Sequence, residues 1–193
     1  MVRIAPVEEP YPPKIEALFA RMIPPGLPPL RVLRTMARNR QMAHAMTEWM
    51  GYELSTALSV DLRAREIIIG RTCALCGCEY QWGLHMAVWS ERARFTEAQM
   101  GSIAHGSSAD ACWDEPRDRL LMELAEQLHH DSDVDDRLWA DLLVYFDEGQ
   151  LLDLLALCGW YHAVSFIVRA ARVEPEPGLT RFEDVAAPSQ VDR

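Results

Sequence analysis

The sequence predicts an all-α fold, and three observations carry that prediction. Apolar residues recur three and four positions apart along most of the chain, the spacing of a single helical face. No stretch of useful length alternates apolar and polar residues as a half-buried strand does. Helix-start and helix-stop residues (Asp61, Thr96, Pro116, Gly77, Gly106) punctuate the periodic segments. At 193 residues the chain is long enough for one domain with a real core and too short to expect two.

Residues 1–29 read as a proline-rich arm. Pro6, Pro10, Pro12, Pro13, Pro24, Pro25, Pro28 and Pro29 leave room for one short helix, Lys14 to Met22, since each proline fixes its own φ and restricts the residue before it. Such an arm wraps its own domain or a neighbouring subunit. From Leu30 the pattern turns helical, with Leu33, Met36 and Ala37 on one face and Met42, Ala45, Met46 and Trp49 repeating it until Gly51. Asp61 is placed to cap the helix that carries Glu66, and a further helix runs from about Cys78 to Arg94. Thr96-x-x-Gln99 is a capping box for a short helix to His105, and Gly106-Ser107-Ser108 is a loop. Pro116 sits in the first turn of the next helix, whose face is Leu120, Leu121, Leu124 and Leu128, with Glu123 and Glu126 outward.

The run from His129 to Asp136 invites a metal reading. A calcium loop counted from Asp131 needs glycine at position 136 and glutamate at 142, where Asp136 and Leu142 stand, so the motif fails. We read it as a solvated loop, with Ser132 or Asp133 capping an amphipathic helix from Leu138 to Phe146. After Gly149 a helix is apolar nearly all round (Leu151, Leu152, Leu154, Leu155, Leu157, Val164, Ile167, Val168), which calls for burial on every side, other subunits included. The total is about seven to nine helices in a domain over 30–174, followed by a C-terminal tail over 175–193.

Charge and composition exclude several functions. A net charge of -10 with a single lysine, Lys14, argues against nucleic acid as a partner. No basic stretch followed by an apolar run opens the sequence, and the longest uncharged run, Leu154 to Val168, falls short of the ~18 residues of a membrane span. Five cysteines without a regular framework fit a reducing compartment. The expectation is a cytoplasmic protein with no membrane contact.

The chemistry concentrates between Leu62 and Trp89. Glu66 stands beside Ile67-Ile68-Ile69, so its carboxyl belongs to a segment that should be buried, where it is a candidate proton carrier. The plainer alternative is a surface glutamate paired with Arg63 or Arg65. Cys73, Cys76 and Cys78 follow, then Tyr80, Gln81, Trp82 and His85. At about 100° per residue, Cys78, Gln81 and His85 share one stripe of a helix, while Cys76 falls about 180° from His85 if the helix is unbroken. A break at Gly77 would free Cys76 and leave Cys78 near a helix N-terminus, where a thiolate is favoured. Cys73 and Cys76 have dithiol spacing and form a candidate redox pair. Zinc through the clustered cysteines lacks a second ligand pair in the sequence, so no metal is expected.

The order Arg63-x-x-Glu66, an apolar run, Cys78, Tyr80-Gln81-Trp82-x-x-His85 resembles the carboxymuconolactone decarboxylase and alkylhydroperoxidase (AhpD-like) superfamily. Leu33 to Met46 and Gly159-Trp160-Tyr161-His162 extend the resemblance over about residues 28–177. It implies an AhpD-like helical domain and a homo-oligomer, a trimer or a hexamer. In the peroxidase branch a C-x-x-C-x-x-x-H motif supplies two thiols; aligned on His85 these positions hold Cys78 and Gln81, so a dithiol mechanism does not carry over. In the Y-E-W branch the central glutamate is likewise Gln81 here.

Three functions compete. The first is metal-independent acid–base chemistry on a small carbonyl or lactone acid, a decarboxylation or a related lyase or isomerase step without a cofactor. Glu66 and His85 would move protons, Tyr80, Trp82, Trp160, Tyr161 and His162 would line the substrate site, and Cys78 and Gln81 would orient the ligand. The second is a peroxiredoxin-type thiol peroxidase with Cys78 as nucleophile. The third is a non-catalytic ligand-binding oligomer. Because Gln81 replaces a thiol, the first is preferred.

Overall fold

The structure, a computed structural model, describes residues 1–23 and 26–188. Those residues form helices and one short 3-10 segment, Phe182–Asp184, joined by turns and irregular stretches, and contain no strand. They form two compact units, 1–23 and 26–58 with 166–178, and 59–165 with 179–188.

The first unit holds α1 (Pro13–Met22), α2 (Arg31–Met36) and α3 (Arg40–Glu53), with α1 and α2 packed on α3. Pro13 opens α1 in a first-turn position where its missing N–H costs nothing. The arm binds its own chain: the Val7 amide donates to the Arg34 carbonyl, Arg34 Nε donates back to the Val7 carbonyl, and Arg38 Nε donates to that of Ala5. Two expectations fail in α3. The helix continues through Gly51 to Glu53. Its buried face is Ala43, Thr47 and Glu53, whereas Ala45 and Trp49 are exposed. The buried Glu53 carboxylate accepts from Trp49 Nε1 at 2.8 Å, a side-chain pair that period alone could not foretell.

The second unit is built round α4 (Leu62–Leu75), which packs against α5 (Glu79–Trp89), α6 (Glu97–His105) and α7 (Pro116–Asp131). Every residue from Ala64 to Cys73 is buried. Asp61 caps α4 as expected, accepting from the Ala64 amide. The capping box of Thr96 and Gln99 opens α6. Helix α5 stops at Trp89, short of the predicted Arg94, because Arg63 from α4 takes the carbonyls of Ala93 and Arg94 at 2.7 and 3.1 Å and bends the chain there, with Arg94 at φ 57°.

The predicted loop at His129 is a second correction. Helix α7 runs on through His129 and His130 and ends at Ser132, in the left-handed region with φ 57°. Asp135, rather than Ser132 or Asp133, caps α8 (Asp136–Leu142), which stops before Phe146. Glu126 does not face outward as expected; it pairs with Arg71 Nη2 at 2.8 Å and accepts from Ser108.

Helix α9 (Glu148–Ala171) supplies residues 148–165 to this unit. It is long and apolar enough by length and composition to cross a membrane, yet 56% of its most apolar window is buried inside the protein. Its burial is one-sided, with Leu151, Leu154, Leu157 and Cys158 inside and Leu152 67% exposed. Of the expected tail, the stretch 179–188 is anchored along α5 and α6. The Phe182 amide donates to Glu79, its ring lies 5.0 Å from that of Trp82, and its carbonyl is 2.8 Å from His105 Nε2. The strap fits because Gly83 and Gly101 lack side chains: a Cβ there would lie 2.2 Å from the Thr180 carbonyl oxygen and 2.0 Å from that of Ala186. Residues 189–193 lie outside the described part of the chain.

Candidate active site

The turn between α4 and α5 sets the geometry. Gly77 has φ +63°, a conformation that costs an L side chain about 1–2 kcal/mol. The Cys78 amide donates to the Cys73 carbonyl and the Gly77 amide to that of Ala74, both at 2.8 Å. This is the paired bonding of a Schellman cap, which satisfies the last carbonyls of α4. Cys78 then serves as the N-cap of α5. One residue thus closes one helix and opens the next, and the break at Gly77 is real.

Across that break the predicted proton carriers meet. Glu66 is fully buried and His85 is 5% exposed. Glu66 Oε2 lies 2.8 Å from His85 Nδ1, while Oε1 accepts from Arg65 Nε at 2.8 Å. The other face of the imidazole meets α9, with Tyr161 Oη 2.9 Å from His85 Nε2 and the two rings edge to face at 5.1 Å. A carboxylate can only accept, so Nδ1 donates to Glu66; in the neutral ring Nε2 then accepts from the Tyr161 hydroxyl. Arg65, buried itself and stacked 4.7 Å over the Trp89 ring, supplies the countercharge. The result is a four-member polar chain, Arg65–Glu66–His85–Tyr161, closed off from bulk water.

The other predicted site residues divide. Cys78, Tyr80, Gln81 and Trp82 are all buried at the start of α5, and Trp82 packs against Phe182 of the strap. Trp160 is buried on α9. Cys73 and Cys76 are both buried and are not joined in a disulfide. Burial, with the neighbouring Cys78 and Cys76 thiols, pushes the Cys73 thiol well above its ordinary range, which disfavours it as a nucleophile. His162 joins a second group with His129, Cys76 and Cys158. The part of Arg65 was open to sequence reasoning, as one of two named partners for Glu66. That of His129 was hidden, because its neighbours in sequence are polar and its partners are distant.

Comparison with solved structures shows the fold. The chain matches the alkylhydroperoxidase AhpD core of an uncharacterized peroxidase-related protein from Ralstonia eutropha JMP134 at TM-score 0.73, with 17% identity over 90% of this chain and 93% of that one. An uncharacterized peroxidase-related protein from Silicibacter sp. TM1040 matches at TM-score 0.72, with 16% identity over 93% of this chain and 96% of the other. The debrominase Bmp8, in complex with 2,3,4-tribromopyrrole, matches at TM-score 0.67, with 14% identity over 90% and 91% of the two chains. The sequence matches no protein-family model and no curated protein. The fold is therefore that of the AhpD core, as the sequence resemblance implied.

Proposed function

We propose that the protein is an enzyme that moves protons on a small carbonyl or lactone acid, through Glu66, His85 and Tyr161. The observation that carries this is the imidazole held at both nitrogens, by a carboxylate at 2.8 Å and a phenol at 2.9 Å. Such a chain lets Tyr161 pass its proton to His85 Nε2 while Glu66 stabilises the imidazolium. The phenolate then takes a proton from the carbon next to the substrate carbonyl, and the imidazolium returns one when the enolate collapses. Where a β-carboxylate leaves as CO2, its electron pair forms the same enolate, the relay delivers the one proton that completes the product, and Tyr161 regains that proton from solvent after product release. Burial of the chain keeps water from short-circuiting the transfer.

A second reading, thiol chemistry at Cys78, is favoured by one observation: its position at the N-cap of α5, where the helix dipole assists a thiolate. The likeness to peroxidase-related proteins and to a debrominase agrees with it. We further propose a homo-oligomer in the cytoplasm, supported by apolar side chains left in water on the second unit, Val144 at 75% and Leu152 at 67% exposed.

The discriminating experiment offers β-keto acids and lactone acids in one arm, following CO2 release or isomerisation, and peroxide with a dithiol reductant in the other. The proposal expects turnover only in the first arm, lost about 10²–10⁴-fold in Tyr161→Phe and largely kept in Cys78→Ser. Peroxide turnover abolished by Cys78→Ser would replace it with the second reading.

A further inference from the structure

The second group of donors is a site in its own right. Cys76 closes α4, His129 lies in the last turn of α7, and His162 sits in the middle of α9. Cys76 Sγ is 3.9 Å from His129 Nδ1, and His129 Nδ1 is 3.0 Å from His162 Nε2. No pair of donor atoms in this trio is further apart than 4.8 Å. We infer that Cys76, His129 and His162 form a three-ligand site for a borderline transition-metal ion of the Zn2+ class, with a fourth position open.

Three observations point to an ion rather than to a chance cluster. The first is edge length. Tetrahedral bonds of about 2.05 Å to nitrogen and 2.3 Å to sulfur place two nitrogens about 3.3 Å apart and a nitrogen and a sulfur about 3.6 Å apart. The two distances given above differ from these by about 0.3 Å each, and the third edge, Cys76 to His162, lies within 4.8 Å, so side-chain rotations that shorten it by up to about 1.2 Å seat the ion.

The second is the tautomer of His162. Its Nδ1 lies 2.9 Å from the Cys158 carbonyl, to which it can only donate. The proton is thereby fixed on Nδ1, and the Nε2 lone pair points at His129. Ligand histidines are commonly oriented in this way, by donating the other ring N–H to a backbone carbonyl. The third is the choice of donors. One thiolate and two imidazoles suit Zn2+ and Co2+ and disfavour Mg2+ or Ca2+, which take oxygen.

On binding, the Cys76 thiol loses its proton. The neutral His129 ring, which donates Nδ1–H to His162 in the metal-free protein, moves that proton to Nε2. One proton per ion is released, and no oxidation change occurs. The ion would also withdraw Cys76 from any dithiol with Cys73. This inference stands independently of the acid–base reading, since it uses none of the residues of the proton relay.

The test is Co2+ added to the full-length protein after chelator treatment, followed by Zn2+ competition. Expected is one ion per chain, with thiolate-to-cobalt charge-transfer absorption and the intense visible bands of tetrahedral cobalt, both displaced by Zn2+. Calorimetry in two buffers should report about one proton released. Cys76→Ser should lose the charge-transfer band and His162→Gln should weaken binding at least tenfold, while His130→Ala keeps both signals. Far-UV circular dichroism of each variant establishes folding, and if Cys76→Ser does not fold, His162→Gln decides the matter. Absence of the thiolate band in the wild type, or binding that survives Cys76→Ser and fails in His130→Ala, would overturn the inference.

Discussion

Glu66→Gln is the sharpest probe of the buried relay, because both neighbours of the carboxylate are donors. Oε1 accepts from Arg65 and Oε2 from His85, each at 2.8 Å. An amide offers one acceptor and one donor, so one of those contacts must become donor against donor. Arg65 cannot release a proton, whereas His85 can change tautomer. The amide oxygen therefore keeps Arg65, and its NH2 turns His85 into the Nε2–H form, which reverses the bond to Tyr161. The ion pair is lost at a place where Glu66 has no exposure and the Arg65 side chain only 9%. Removing one partner of a buried pair costs about 3–5 kcal/mol; the retained amide–guanidinium bond puts the expectation near the lower end, about 3 kcal/mol. Urea unfolding followed by circular dichroism measures the loss, and 15N chemical shifts of the imidazole report the tautomer. A loss under about 1 kcal/mol with His85 still protonated on Nδ1 would refute the reasoning, since the carboxylate would then bear neither the charge balance nor the ring orientation.

Three further outcomes follow from the same geometry. Gly77→Ala should cost about 1–2 kcal/mol in urea unfolding, because alanine must adopt φ near +63° for the α4–α5 turn to survive; an unchanged midpoint would show that the turn can relax. Asp61→Ala should remove about 1 kcal/mol of capping at neutral pH. Burial alone would raise the Asp61 carboxyl, but the Ala64 amide and Arg117 outweigh it and hold the group below its ordinary 3.8. The capping contribution is therefore present above pH about 4 and fades as pH falls through the lower folded value, so the gap between wild type and variant should close in acid and nowhere else. Under native conditions at pH 8, a thiol reagent should modify the part-exposed Cys112 first and reach Cys73 and Cys158 only on unfolding. Burial raises Cys158 to about 11, leaving about 100-fold less thiolate than a thiol near 9. Early modification of Cys73 would contradict the closed core.

Much of the fold was legible because local signals agreed with packing. Asp61, Thr96 with Gln99, and Pro116 each begin the helix that their side chains announce, and Ile67-Ile68-Ile69 lie at the centre of α4 with no exposure. What was misread depends on partners far away in sequence. Period placed the apolar residues Met42 and Trp49 inside, but α3 buries Thr47 and Glu53; the Thr47 hydroxyl donates to the Ala43 carbonyl and Glu53 Oε1 accepts from Trp49. The end of α5 is set by Arg63, some thirty residues upstream, and no residue near Arg94 announces it. The strap over α5 and α6 was invisible for the same reason: it depends on two missing Cβ atoms, at Gly83 and Gly101, which read in sequence as unremarkable helical glycines.

The triplet Trp160-Tyr161-His162 looked like one wall of one pocket, and the helix geometry says otherwise. Successive residues on α9 are about 100° apart, and here that step sends adjacent side chains to different clusters. Tyr161 turns to His85 on α5, and His162 turns to His129 on α7. Helix α4 divides its residues in the same manner, giving Glu66 to the first group and Cys76 to the second. The two clusters thus share two rigid elements without sharing a side chain. A rotation of α9 that opened the Tyr161–His85 contact would also displace His162 from His129, so an ion held at the second cluster should resist opening of the first. Zn2+ should therefore slow hydrogen exchange of the α9 amides around Tyr161 in the wild type and leave it unchanged in His162→Gln; equal protection in both would mean that the clusters act separately.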